Sequence, residues 1–134
     1  MSDCLFCKIA SGDIPCHKVF EDEFTLAFLD IHPCSKGHTV VIPKQHVSQL
    51  KEMNHRSWLA LMNGLKLTAE LVDSKLKPAG LNIGINNREA AGQAVAHVHW
   101  HIIPRYENDG GGSMHSIIRS ANPGDVAKVA KLFQ

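Results

Sequence analysis

The chain carries no excess of either charge: 14 Lys and Arg stand against 13 Asp and Glu in 134 residues. Basic residues form no run either, which argues against nucleic-acid binding through bulk charge or a local basic tract. Long hydrophobic runs are missing. No apolar stretch approaches the roughly 18 residues that a membrane span needs, and Met1-Ser2-Asp3-Cys4 lacks the charged and apolar regions of a secretory signal. The expectation is a cytoplasmic protein with neither membrane nor nucleic acid as partner. Cysteine is scarce and lopsided, with Cys4, Cys7, Cys16 and Cys34 all in the first quarter of the chain. That spacing is poor for stapling a whole domain, so in a reducing compartment these residues read as thiols or metal ligands. No repeat or linker divides the sequence, and 44% hydrophobic residues suffice for a core. It reads as one domain over 1–134, with 113–134 a tail of uncertain structure.

What is present is concentrated between His97 and Arg105, which reads His97-Val98-His99-Trp100-His101-Ile102-Ile103-Pro104-Arg105. On a strand, side chains alternate between faces, so the three imidazoles converge on one side while Val98, Trp100 and Ile102 bury on the other. A helix would rotate His99 about 200° from His97. The β-branched and aromatic residues also favour a strand. A half-buried strand whose polar face happens to be histidine is the bland alternative, but polar faces are normally Lys, Glu, Thr and Ser. Three aligned histidines point to a metal or to chemistry.

Elsewhere, Val19–Glu21 and Phe24–Asp30 read as strands joined by a turn at Asp22, and His38–Ile42 as a third strand stopped by Pro43. From Arg56 to Lys77, Trp58, Leu61, Met62, Leu65, Ala69, Val72 and Leu76 recur at spacings of three and four, giving one long amphipathic helix. Leu81–Asn86 alternates like a strand, and Asn87–Val95 is a loop of small residues leading to the histidines. Asp125–Phe133 can form a short terminal helix. The order of elements gives an α+β domain with an antiparallel sheet.

These residues resemble the histidine triad family, whose signature is His-x-His-x-His followed by two apolar residues. The resemblance extends to Leu5-Phe6-Cys7-Lys8-Ile9, to Phe28-Leu29-Asp30-Ile31-His32-Pro33, to Gly37–His46, and to Asn86 with Gly92-Gln93-Ala94-Val95. It covers residues 4 to 105 and is strongest toward the small Hint-like branch found in bacteria. His101 in place of glutamine separates the chain from the galactose-1-phosphate uridylyltransferase pattern. The resemblance implies a HIT-like fold, a five-stranded antiparallel sheet with one long and one short helix, and a homodimer.

The implied chemistry is nucleotidyl transfer. A neutral imidazole attacks phosphorus without a separate base, provided that a hydrogen bond fixes its tautomer. By resemblance His99 is the nucleophile, His101 contacts a phosphate oxygen or the leaving group, and His97 and His38 support the triad. Asn86 orients the phosphate, and Gln93, Ala94 and Val95 offer backbone N–H groups to the developing charge. Ala94 occupies a position that is often serine in relatives, so a hydroxyl contact is lost there. Asp30 matches the ribose-binding acid, and Leu5, Phe6, Ile9, Phe28 and Ile31 match the base pocket, although any one of these five taken alone reads equally well as core. Cys4 and Cys7 with His46 and His97 suit tetrahedral zinc in a structural role. The Cys-x-x-Cys pair by itself can also be a redox dithiol or two buried small residues.

The implied activity is hydrolysis or transfer at the α-phosphate of purine nucleoside 5′-monophosphate amides or esters through a nucleotidyl-histidine, foremost as a purine nucleoside phosphoramidase. The alternatives are a dinucleoside polyphosphate hydrolase and a nucleotide-binding regulatory protein with incidental hydrolysis.

Overall fold

The computed structural model describes residues 3–134. Helix α1 (Leu5–Ser11) leads into strands β1 (Lys18–Glu21), β2 (Thr25–Leu29) and β3 (Thr39–Pro43), then the long helix α2 (His55–Leu76), strands β4 (Gly80–Ile85) and β5 (Trp100–Arg105), and a short terminal helix α3 (Val126–Ala130). The strands form one antiparallel sheet in the order β1-β2-β3-β5-β4. This is the α+β, five-stranded architecture the sequence predicts, with most strand and helix ends shifted by a residue or so and the start of β5 by three. Pro43 ends β3 from inside it, paired with Thr25.

Alternation divides the sheet into two faces. Ala27, Val41, Val98 and Ile102 pack with Leu61, Leu65 and Val72 of α2 on one side. Leu26, Phe28, Val40 and Ile42 pack with Phe6 of α1 on the other. Each large apolar side chain removed from water contributes about 1.5–3 kcal/mol, so α2, which buries a whole stripe, anchors the sheet. Its N-terminus is capped by Asn54, whose Oδ1 accepts from the Ser57 amide at 2.8 Å. Gly64 lets the helix approach β2 closely: a Cβ there would lie 2.7 Å from Thr25 side-chain atoms.

Helix α1 has no counterpart in the residue-by-residue reading, because seven residues are too few to show a 3.6-residue period. It begins at Cys4, whose Sγ accepts from the Cys7 amide at 3.4 Å, and ends at Gly12 in the left-handed region. So short a helix is marginal alone. Packing of Phe6 against Leu26, Phe28, Val40 and Ile42 keeps it in place. Residues 113–134 run along the outside of the molecule and are exposed throughout, α3 included.

Candidate active site and metal centre

The sequence predicts one strand from His97, whereas ladder pairing begins only at Trp100. His97–His99 precede it outside the ladder, with His97 in a bend, and are tied to the loop after β3 by the Val98 amide donating to the Val47 carbonyl at 2.7 Å. The alternation survives without the ladder. Val98 and Ile102 are buried against the α2 side, and the three histidines lie on the α1 side, with Phe6 edge-on to His97 and His99 at 5.9 and 5.0 Å between ring centroids.

Fixed hydrogen-bond partners set the proton positions in the site. A carbonyl can only accept, so His99, which reaches the His97 carbonyl with Nδ1 at 2.7 Å, carries its hydrogen there and keeps a lone pair on Nε2. His97 donates from Nε2 to the Pro43 carbonyl at 2.8 Å, leaving Nδ1 bare. An amide can only donate, so His38 accepts from Cys34 N at its Nδ1, 3.0 Å away, and must hold its hydrogen on Nε2. That hydrogen is donated to His101 Nδ1 at 2.9 Å. His101 therefore carries its own hydrogen on Nε2. Burial holds His38, His97 and His101 below the usual imidazole range, His101 to about 4 with further repulsion from His99 and His38. All three are neutral at pH 7, as this proton order requires.

His99 and His101 form the inner wall of a cavity of about 510 Å³. Asp30, Asn86, Ala94 and Val95 line it as well, and Leu5, Phe6, Ile9, Phe28 and Ile31 make its apolar side. The structure thus brings most of the predicted binding residues around one space. Gln93 is the exception. Its side-chain Oε1 accepts from the Arg88 amide, and its Nε2 donates to the Ser48 and Val95 carbonyls, so it braces the loop and does not reach the cavity. The Gly92 and Gln93 amides are taken up by the Glu89 and Arg88 carbonyls, and those of Ala94 and Val95 have no intrachain partner among the described residues. Asp30 Oδ1 accepts from the His32 amide at 2.8 Å, and its Oδ2 lies 3.7 Å from His38 Nε2. Asp30, His38 and His101 lie close enough together to suggest a metal site. Ligation through His38 Nε2 would, however, move its hydrogen onto Nδ1, against the Cys34 N–H. His38 and His101 are instead hydrogen-bonded to each other, with the Asp30 carboxylate beside them at 3.7 Å.

The ligand atoms of Cys4, Cys7, His46 and His97 all lie within 4.8 Å of one another. His97 Nδ1 is 3.4 Å from Cys4 Sγ and 3.6 Å from Cys7 Sγ, and His46 Nδ1 is 3.3 Å from Cys7 Sγ. Bonds of about 2.3 Å to sulfur and 2.0–2.1 Å to nitrogen at a tetrahedral angle separate the two donors by roughly 3.5 Å, so the donor set fits a tetrahedral ion. The bare Nδ1 of His97, oriented through its Pro43 contact, is the correct tautomer for a ligand. Burial and the hydrogen bond with Cys4 push the Cys7 thiol up, so ion binding would release a proton. These four residues could hold a metal ion.

Sequence comparison agrees with this geometry: the family model of the HIT domain matches residues 11–108, which include the whole triad. The chain belongs to the HIT family. A HIT-like protein of Methanocaldococcus jannaschii, called uncharacterized, is 46% identical over 128 residues, 96% of this chain and 98% of that one. The adenosine 5′-monophosphoramidase of Schizosaccharomyces pombe is 44% identical over 102 residues, 76% of this chain and 74% of that protein. A solved structure from Streptococcus mutans superposes with a TM-score of 0.86 at 44% identity, covering 99% of this chain and 82% of that one.

The HIT match leaves Cys4, Cys7 and most of α1 outside it, together with everything after 108. Two contributors to the site are absent from the sequence reading. The Cys34 amide, which orders the His38 and His101 protons, acts through backbone and leaves no side-chain signal. Met114 and Ile117 of the tail wall a second cavity beside His101, and no pattern in the sequence links them to β5.

Proposed function

We propose that this HIT protein is a purine nucleoside phosphoramidase, hydrolysing amides and esters of purine nucleoside 5′-monophosphates through a nucleotidyl-histidine. The observation that carries the reading is the His99 ring, 5% exposed, with Nδ1–H held by the His97 carbonyl and its Nε2 lone pair left free on the wall of the cavity that Asp30 shares. The name of the fission-yeast relative supports the reaction class.

In this reading the base lies against Phe6, Ile9 and Phe28, and Asp30 accepts from the ribose hydroxyls. His99 Nε2 forms a bond to the α-phosphorus. The P–N bond of the amide breaks, and its electron pair leaves with the nitrogen, which takes a proton from solvent. The Ala94 and Val95 amides and the His101 Nε2–H donate to the phosphoryl oxygens as charge develops, a stabilisation worth about 3 kcal/mol for each donor fixed in advance. Asn86 orients the same group. Water then adds to phosphorus, the His99–phosphorus bond breaks, the nucleoside monophosphate leaves, and the proton returns to solvent. Zinc held by Cys4, Cys7, His46 and His97 would supply structure, fixing α1 and the start of the catalytic segment.

We also propose a cytoplasmic homodimer. The open edge at β4 and the exposed Ile117, Ile118, Leu132 and Phe133 of the tail support that reading, and sedimentation at micromolar protein tests it.

The functional test is a steady-state assay on adenosine 5′-phosphoramidate and diadenosine tetraphosphate with His99→Ala as control. Turnover of the amide that the variant loses supports the proposal. Preference for the dinucleotide would reassign the substrate, and nucleotide binding without turnover would make the protein a binding module.

A further inference from the structure

Cys4 and Cys7 stand one helical turn apart at the start of α1, so both sulfurs leave the helix on one face. Residues at that separation are about 5 Å apart from Cα to Cα, within the span of roughly 4.4–6.8 Å that a disulfide bridges. Their sulfurs lie within 4.8 Å of each other. Cys4, Cys7 and His46 are half-buried, so a small oxidant reaches the pair from solvent, while His97 behind it is fully buried. Cys16 lines the nucleotide cavity and Cys34 sits beside His38, so neither belongs to this cluster.

The same sulfurs join the start of α1 to the segment before β5. Cys4 and Cys7 reach His97 Nδ1 at 3.4 and 3.6 Å, and Cys7 reaches His46 Nδ1 at 3.3 Å. These contacts hold whether a sulfur donates its hydrogen to a bare imidazole nitrogen or both sulfurs bind one ion. A disulfide ends them in either case, because its sulfurs have no hydrogen to give and no charge to bind a metal. Phe6 is then the main anchor of a seven-residue helix, and Leu5, Phe6 and Ile9 of that helix form one wall of the nucleotide cavity. The His99 side is insulated from the same change. The His97 ring stays fixed by its Nε2 hydrogen bond to the Pro43 carbonyl, and the His97 carbonyl that orients His99 is backbone.

We propose that Cys4 and Cys7 form a redox switch: a hydroperoxide converts them to a disulfide that frees α1 from His46 and His97, and nucleotide affinity falls. One sulfur attacks a peroxide oxygen, the O–O bond breaks, and a sulfenic acid and water form. The second sulfur attacks the sulfenic sulfur, the S–O bond breaks, and a second water leaves. Two electrons pass from the sulfurs to the peroxide. The two thiol hydrogens complete the waters, or two solvent protons do so where an ion holds the sulfurs as thiolates. A dithiol reductant reverses the change. The affinity part of the inference rests on the nucleotide reading above, whereas the disulfide itself does not.

The test uses the full chain with Cys16→Ser and Cys34→Ser, so that only Cys4 and Cys7 react, loaded with zinc and exposed to hydrogen peroxide. Intact mass after alkylation of free thiols, zinc freed to a chromogenic chelator, and AMP affinity by calorimetry are measured before oxidation, after it, and after dithiothreitol with zinc restored. The expected result is loss of two hydrogens from the mass with no thiol left to alkylate, release of one zinc equivalent, and AMP binding weaker by at least about tenfold. The reductant restores all three, and a thermal melt shows the oxidised chain still folded. Oxygen added to the mass in place of a disulfide overturns the switch. A disulfide that leaves AMP affinity unchanged overturns the link between the pair and the base wall, and loss of the folded transition overturns a switch confined to affinity. No AMP binding even before oxidation overturns the nucleotide reading, and the switch falls with it. A chain that takes up no zinc loses the metal reading alone, and mass and affinity decide the switch by the same outcomes.

Discussion

The carbonyl of His97 accepts the Nδ1 hydrogen of His99 at 2.7 Å, while the ring of the same His97 faces the sulfurs of Cys4 and Cys7 at 3.4 and 3.6 Å. One residue thus joins, through its side chain, the cluster that could hold a metal ion and, through its backbone, the proposed nucleophile. Helix α1 makes the same connection a second time, carrying Cys4 and Cys7 at its start and presenting Leu5, Phe6 and Ile9 to the nucleotide cavity.

Replacing both thiols, Cys4→Ser with Cys7→Ser, is therefore expected to do more than remove a metal. Elemental analysis should show loss of one zinc equivalent per chain, and the melting temperature should fall by about 10 °C. Calorimetry should show AMP binding weakened by at least about tenfold, because α1 no longer holds the base wall in place. Metal loss with unchanged AMP affinity would separate the two sites.

His38→Ala removes the donor that keeps the hydrogen of His101 on Nε2. With His101 free to exchange tautomers, kcat for the phosphoramidate should drop about 100-fold, while KM, set by contacts to base and ribose, moves much less. A loss confined to KM would place His38 in substrate binding instead.

Acid should destabilise the fold in a defined window. Unfolded histidines titrate near 6.5, whereas burial holds His38, His97 and His101 lower, His101 to about 4. Between these values the unfolded chain binds more protons than the folded one. Stability is therefore fully present above about pH 6.5 and declines as pH falls toward about 4. Urea midpoints followed from pH 7.5 to 4.5 in the Cys4→Ser, Cys7→Ser background exclude metal release as a cause. A His101→Asn change added there should make the decline shallower. An identical slope would remove His101 from the account.

How much of this could be read in the sequence depends on how each part is encoded. Strict alternation from Val98 to Ile102 and the three-and-four spacing of Leu61, Leu65 and Val72 are periodic signals, and both faces of the sheet follow from them. The triad, the Cys and His cluster and the wall around Asp30 rest on side-chain identity at recognisable positions. Helix α1 was hidden because seven residues hold too little periodicity. The backbone N–H expected from Gln93 is taken up by the Arg88 carbonyl, and a loop's sequence does not say which of its amides its own turns consume. The proton order through Cys34 N and the wall at Met114 depend on backbone contacts and long-range packing.

The close approach of Gly64 and Thr25 gives a packing test remote from the site. Gly64→Ala should destabilise the chain by about 1–3 kcal/mol, since the added methyl meets Thr25 at 2.7 Å. Adding Thr25→Ala should relieve part of that cost by removing Oγ1 and Cγ2, while the β-carbon of residue 25 stays at 2.8 Å from the new methyl. Denaturant unfolding of the two variants decides it, and no recovery at all with the second change would mean that the strain lies elsewhere.

The covalent role of His99 is the step on which the proposed reaction depends. Rapid alkaline quench during turnover of adenosine 5′-phosphoramidate, which preserves the acid-labile P–N bond of a nucleotidyl-histidine, followed by mass spectrometry of the peptide spanning His97 to Arg105 without acid steps, should find one AMP group on wild-type protein, localised to His99. The His99→Ala protein should carry none. Turnover at full rate by His99→Ala, or an adduct on His101, would contradict the account.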